Sequence, residues 1–241
     1  SSPMFDIHTH ILPGIDDGAA TMEEAVAMAR MAAAEGTTAM VATPHTCDGV
    51  YNTRKADVID GCRALNEVLV QQGVPVHILP GQEVRLTPEL LDLINADQIL
   101  TLNNSNFLLI ELPLHVLPQY LPEMVRRIRS LDLIPIIAHP ERNPALMSSI
   151  SMVEELHFRG ALFQVTAGSF TGQFGRNVKK HAMRLAGMEV VDFLGSDAHS
   201  ATHRTPVMAK GMALLNKITG DNVFRQYCEL TAMVAPLNTM A

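Results

Sequence analysis

Histidine, aspartate and glutamate residues in this sequence gather in short segments, each closing a run of apolar residues. Asp6-Ile-His8-Thr-His10 closes the first run, Thr43-Pro-His45 the second and Pro80-Gly-Gln-Glu83 the third. Glu111-Leu-Pro, His139-Pro-Glu-Arg142 and Gly195-Ser-Asp197-Ala-His199 close three more. Imidazole and carboxylate donors without thiolate suit Mn2+, Fe2+ or Zn2+ with open coordination positions, not a closed cysteine–zinc site. About eight such donors exceed what one ion needs, so two or three ions fit better, with Glu83 the natural bridge between neighbours. Arg142 follows His139 by three residues and Arg204 follows Asp197 by seven. Guanidinium forks beside a multi-metal site match phosphate oxygens, which turns metal hydrolysis toward phosphate-ester hydrolysis.

Taken singly, each group has an ordinary explanation. His8 and His10 alternate along a strand and share one side, yet many such pairs are incidental. A lone His45 or His139 after a strand is often a hydrogen-bonded structural residue. Glu83 and Glu111 read equally as solvated acids, Asp197 as a cap, His199 as surface, and both arginines as partners in surface ion pairs. The joint placement decides between the readings. His77, His157 and His181 lie at a strand start or within helices and read as non-ligands.

The elements that must position these groups alternate along the whole chain. Strands are expected at Met4–His8, Ala39–Ala42, Val76–Leu79, Phe107–Glu111, Ile134–Ala138, Ala161–Val165 and Val190–Leu194. Helices are expected between them: one opened by Thr21-Met-Glu-Glu24 and closed by Gly36, then Thr53–Gln72, Thr87–Ile94, Leu121–Leu131, Met152–Arg159 and Asn177–Ala186. Thr205–Lys217 and Asp221–Glu229 follow as closing helices. Such alternation predicts an α/β fold with a parallel sheet closed, or nearly closed, into a TIM-like barrel. All strand ends then meet on one face, and six of the seven strands bring a His, Asp or Glu to it; the strand ending at Thr166 does not.

Bulk properties agree. The chain has 241 residues, 47% hydrophobic and 18% charged, which suits one large globular domain. Residues 4–241 are taken as that domain, and Ser1-Ser2-Pro3 before Met4 as an extraneous remnant. The net charge of -7 argues against a nucleic-acid binder but not against a small phosphorylated group, because bound cations reverse the local field. No apolar run is long enough to cross a membrane and no signal-peptide pattern opens the chain, so a cytoplasmic location is expected. Cys47, Cys62 and Cys228 are scattered and odd in number, as for reduced thiols.

The sequence resembles the PHP (polymerase and histidinol phosphatase) superfamily, and within it the bacterial protein-tyrosine phosphatases encoded with capsule and exopolysaccharide genes, the CpsB/YwqE type. The resemblance rests on Asp6–Gly18, Ala42–His45 with Gly49, Tyr51 and Asn52, Gly81–Val84, Ile110–Leu112, Ala138–Arg142, Ala167–Gly172 and Gly195–His199 with Arg204. It implies a distorted (β/α)7 barrel of the PHP fold with a trinuclear centre at the C-terminal strand ends, Mn2+ first among the ions and Fe2+ or Zn2+ as alternatives. Carried over by position, His8, His10, Glu83 and Asp197 would hold one ion, Glu83, Glu111 and His139 a second, and Asp17, His45 and His199 a third. Asp17 enters only through the resemblance. Arg142 and Arg204 would contact phosphate, and His199 is also a candidate proton donor to the leaving group. The implied reaction is hydrolysis of protein phosphotyrosine by water activated at the metals, with a bacterial tyrosine kinase as partner.

Other readings remain open at this point. Histidinol phosphate is a substrate within the same superfamily, and a PHP module can be non-catalytic, although loss of ligands usually marks such a module and none is lost here. A polymerase-associated nuclease fits poorly with the acidic balance. A cysteine-nucleophile phosphatase would need a phosphate-cradling loop, but Cys47 and Arg54 are separated by six residues that do not resemble one.

Overall fold

The computed structural model describes residues 4–234, apart from the side chains of residues 221–225. The chain begins with β1 (Met4–Thr9), α1 (Met22–Ala34), β2 (Thr37–Ala42), β3 (His45–Thr46), α2 (Lys55–Gln71), β4 (His77–Pro80) and β5 (Glu83–Arg85). It continues with α3 (Leu90–Asn95), β6 (Phe107–Glu111), α4 (Leu121–Ser130), β7 (Ile134–Ala138), α5 (Pro144–Met147) and α6 (Ile150–Phe158). The last elements are β8 (Leu162–Thr166), α7 (Arg176–Gly187), β9 (Phe193–Gly195), α8 (Ala209–Thr219) and α9 (Asp221–Val234).

Every strand pairing is parallel, in two ladders ordered β1-β2-β4 and β3-β5-β6-β7-β8-β9. Ala42 pairs with Pro80 and His45 with Glu83, so the register is the same on both sides of the break. β2 with β3, and β4 with β5, are therefore two longer strands interrupted at Thr43-Pro44 and Gly81-Gln82. Pro44 has no N–H to offer a ladder. Main-chain hydrogen bonds seal the remaining edge: Asp197 N–H donates to His8 O at 2.8 Å and His10 N–H to Ala198 O at 2.8 Å. The sheet thus curls into the expected distorted barrel.

A parallel sheet covered on both faces needs continuous apolar strands. Phe107–Ile110 and Ile136–Ala138 are buried residue by residue, and the Phe107 and Phe193 rings meet edge to face at 5.5 Å. A second core packs α1 and α2 against the outer side of β2 and β4 through Met28, Ala29, Leu65, Met40 and Ile78. α1 starts where the capping pattern places it: Thr21 Oγ1 accepts the Glu24 N–H at 3.1 Å, and Gly36 follows with φ of 99°.

Several boundaries differ from the sequence reading by a few residues. α8 begins at Ala209 rather than Thr205, because a residue before proline, here Pro206, is driven out of helical geometry. The strand expected at Val190–Leu194 is Phe193–Gly195; Val190 and Val191 are buried but form no ladder. α5 is an additional short helix, capped by Asn143, whose side chain accepts the Leu146 N–H.

The approach to β9 carries a buried carboxyl. Asp192 Oδ2 accepts the Phe163 N–H at 2.9 Å, tying the turn to β8, while burial pushes its pKa from 3.8 up to about 7. A group whose pKa rises on folding binds more protons folded than unfolded, so stability falls as pH climbs through this range. Asp192→Asn keeps the acceptor and removes the titration. Wild-type stability measured by urea unfolding is expected to fall relative to Asp192→Asn from about pH 4 to about pH 8, by up to about 4 kcal/mol. Parallel pH curves for the two proteins would remove Asp192 as the cause.

Candidate metal centre

β1 sends His8 and His10 inward from alternate positions, and the sealed edge sets both beside Asp197. His8 Nε2 lies 3.0 Å from Glu83 Oε1 and 3.2 Å from Asp197 Oδ1. His10 Nε2 lies 3.1 Å from each of the same two atoms. The outer nitrogens are already engaged: His8 Nδ1 is 2.7 Å from Gln164 Oε1, and His10 Nδ1 is 2.7 Å from Asp16 Oδ2. Since both partners accept, each Nδ1 carries a proton and each ring turns its Nε2 inward, as ligating imidazoles do. The two Nε2 atoms are 3.3 Å apart, and Asp197 Oδ1 is buried without a hydrogen-bond partner. Lone pairs facing one another in a dry site repel unless positive charge lies between them. A divalent ion fits that requirement.

Two further donor sets share residues with the first. His45 Nε2 and His199 Nε2 lie 3.4 and 3.3 Å from Asp17 Oδ1, and His199 Nδ1 donates to the Asp197 carbonyl at 2.8 Å. His45 Nδ1, buried without a hydrogen-bond partner, faces Glu83 Oε1 at 3.4 Å and Glu111 Oε1 at 3.9 Å. His139 Nε2 lies 3.1 Å from Glu83 Oε2 and 3.7 Å from Glu111 Oε2. Within 4.8 Å, donor atoms therefore group as His8, His10, Glu83 and Asp197; as His10, Asp17, His45 and His199; and as His45, Glu83 and Glu111. Glu83, His10 and His45 each appear in two sets. His139, expected as a ligand, enters none of these sets although it faces Glu83 and Glu111; His77, His157 and His181 enter none either.

The electrostatics match the geometry. Burial works against a charge on His8, yet the Glu83 and Asp197 carboxylates raise its pKa to about 9. Burial would also raise Glu83 and Asp197, but the imidazoles, together with Arg142 in the case of Asp197, hold both well below the usual carboxylate range. Glu111 moves upward, through burial and the charge of Glu83. The interior therefore attracts protons strongly, and divalent cations compete for the same lone pairs.

Asp197 also faces the other way. Its Oδ2 accepts from the Arg142 guanidinium and from Arg204 Nη2, the latter at 2.7 Å. The Phe174 ring stacks under both cations, 4.3 Å from the Arg142 guanidinium carbon and 5.6 Å from that of Arg204. The two arginines, the donor-set residues other than His8 and His10, and Arg85, which is paired to Glu111 at 2.8 Å, border one open cavity of about 330 Å3.

Residues 4–233 match the family described as capsular polysaccharide synthesis, CpsB/CapC. The chain belongs to this family. It is 36% identical over 220 residues to the tyrosine-protein phosphatase YwqE of Bacillus subtilis, covering 91% of this chain and 87% of that protein. It superposes with a TM-score of 0.92 and 35% identity on a chain from the crystal structures of YwqE from Bacillus subtilis and CpsB from Streptococcus pneumoniae, described as unique metal-dependent tyrosine phosphatases. That match covers 96% of this chain and 94% of the other. A histidinol phosphate phosphatase from Lactococcus lactis shares the fold, with a TM-score of 0.55 at 12% identity over 89% of this chain and 93% of the other. Among the described residues, no helix is long and apolar enough to cross a membrane.

Of the eleven residues singled out in the sequence, nine border this pocket of the CpsB/CapC fold, and His8 and His10 lie buried against Glu83 and Asp197. Their positioning partners escaped that reading. Asp16 holds His10 and also accepts the His45 N–H at 3.0 Å and the Gly18 N–H at 3.0 Å. Gln164 comes from β8, the strand that delivers no ligand, and also accepts the His139 N–H at 3.3 Å. A lone glutamine within the apolar run Leu-Phe-Gln-Val-Thr was the available signal. Phe174 had none. The Asp16-Asp17 turn depends on Gly18, where a Cβ would lie 2.0 Å from His10 O and 2.5 Å from His10 Cβ. Gly18→Ala is expected to destabilise the protein by about 1–3 kcal/mol and to lower bound metal, read by urea unfolding and elemental analysis. Unchanged stability and metal content would show that the turn tolerates the methyl group.

Proposed function

We propose that residues 4–241 form one metal-dependent protein-tyrosine phosphatase domain, acting in the cytoplasm on phosphotyrosine of a bacterial tyrosine kinase linked to capsule or exopolysaccharide synthesis. The observation that carries this reading is the convergence of three donor sets linked through Glu83, His10 and His45, with Arg142 and Arg204 meeting on Asp197 at the open side. The named activity of the relatives supports the choice of phosphotyrosine.

Three divalent ions, Mn2+ first and Fe2+ or Zn2+ as alternatives, would occupy the centre. As the family resemblance implies, His8, His10, Glu83 and Asp197 would hold the first, Glu83, Glu111 and His139 the second, and Asp17, His45 and His199 the third. When bound, such ions lower the pKa of water toward ~7 and offset phosphate charge. The chain's own residues supply position and field. Gln164 and Asp16 keep His8 and His10 with their Nε2 lone pairs inward. Arg142 and Arg204 present N–H groups to the non-bridging oxygens, held in place by Phe174 and by Asp197 Oδ2. His199 has committed its Nδ1 proton to the Asp197 carbonyl, so as a ligand through Nε2 it has none to give the leaving oxygen. Solvent then supplies that proton, which suits a tyrosyl oxygen because a phenoxide leaves readily.

Chelation and readdition test this directly. Phosphotyrosine-peptide hydrolysis is expected to vanish with complete metal removal and to return with Mn2+; activity that survives removal ends the reading. Arg142→Ala and Arg204→Ala are each expected to lower kcat/KM about 100- to 1000-fold, in line with the loss of one preorganised donor. Histidinol phosphate assayed beside the peptide separates the two phosphatase substrates, and faster turnover of histidinol phosphate would reassign the substrate.

A further inference from the structure

The cavity over the donor sets is bordered almost wholly by charged and imidazole side chains. Val50 and Tyr51, side by side on the segment between β3 and α2, are the exceptions among its described lining residues. Val50 is 80% exposed, so it contributes almost nothing to the core. Its segment is nonetheless held firmly. Asp48 Oδ1 accepts both the Val50 N–H at 2.9 Å and the Tyr51 N–H at 2.6 Å. Thr53 Oγ1 donates back to His45 O at 3.2 Å, and Thr46 Oγ1 to Thr53 O at 3.3 Å. Cys47 and Gly49 take left-handed backbone angles, φ of 63° and 86°, to make the turn. Tyr51 then lays its ring over His45, with centroids 6.1 Å apart and planes 18° from parallel.

A pinned turn that offers an apolar face to a charged cavity does not serve the fold. Phosphate needs the arginines and cations; the alcohol it is esterified to needs something else. A valine side chain and an aromatic face recognise a flat apolar group, since ring-on-ring contact adds to simple area burial. An aliphatic alcohol such as serine or glycerol offers little to such a surface. We propose that Val50 and Tyr51 form an aryl-binding wall that selects phosphate groups borne on an aromatic ring over those on an aliphatic carbon. This rests on the phosphatase reading for its biological meaning, but the preference itself is a property of binding.

The test uses the full chain loaded with Mn2+ and two non-hydrolysable probes, phenylphosphonate and methylphosphonate, titrated by calorimetry. The wild type is expected to prefer phenylphosphonate. Tyr51→Ala is expected to reduce that preference roughly 5- to 10-fold, Val50→Ser to reduce it less, and Tyr51→Phe to keep it. Equal binding of the two probes by the wild type, or an undiminished preference in both Tyr51→Ala and Val50→Ser, overturns the proposal. Should Tyr51→Ala fail to fold, Val50→Ser decides, because its side chain supports nothing in the core. Turnover separates this inference from the one it rests on. Preferential aryl binding without hydrolysis of phosphotyrosine peptide leaves the wall standing and removes the phosphatase; hydrolysis with equal probe binding does the reverse.

Discussion

Two carboxylates, Glu83 and Asp197, sit in the barrel mouth with about 1% and 2% of their surface open to water. Buried anions persist only where opposite charge meets them. Asp197 divides that task between its oxygens: Oδ1 faces the lone-pair side of His8 and His10, and Oδ2 takes both guanidinium groups. The same side chain therefore connects the metal-binding interior to the arginines at the open side. Removing it would leave two imidazoles and two arginines without their common partner.

What holds this pair is the way the barrel closes. Hydrogen bonds between β1 and the residues after β9 bring His8 and Asp197 together across most of the chain length. Asp6 reinforces that seam, accepting the Ser196 N–H at 2.9 Å and the His8 N–H at 3.2 Å, and burial raises its pKa to about 6. On the opposite side of the mouth, the interruption of two strands at Pro44 and Gly81 places His45 directly across from Glu83. Glu141, wholly buried, ties the β7 end to β8 by accepting the Thr166 N–H at 2.9 Å and the Ser169 hydroxyl at 2.6 Å. Carboxylates thus serve the centre twice, as donors inside it and as anchors of the backbone around it.

The mouth is also where the backbone departs from comfortable angles. His139 and Asp197 both have positive φ, 31° and 50°, without being glycine. Such residues typically cost of order 1–3 kcal/mol each and persist where surrounding contacts fix them. The Gln164 bond to the His139 N–H and the Asp197 N–H bond to His8 O supply those contacts. Rigid positioning of this kind lets guanidinium and imidazole groups act without reorganising during reaction.

Much of this was legible in the chain itself. Apolar runs alternating with amphipathic stretches set the order of strands and helices, and capping at Thr21 and Gly36 marked α1, because these are local properties of neighbouring residues. Most of the donors were legible too, since each lies at or just past the end of an apolar run and a parallel barrel gathers all such ends. Asp17 was not, lying in a turn where no periodicity speaks, and it entered only by family resemblance. Tertiary structure alone decided that β8 supplies Gln164, that Asp16 rather than Asp17 orients His10, that Phe174 lies under both arginines, and that His10 and His45 each face more than one donor set. The reason is that a ring's orientation and a carboxylate's two oxygens are chosen by partners from distant segments, and those partners meet only after the barrel has closed.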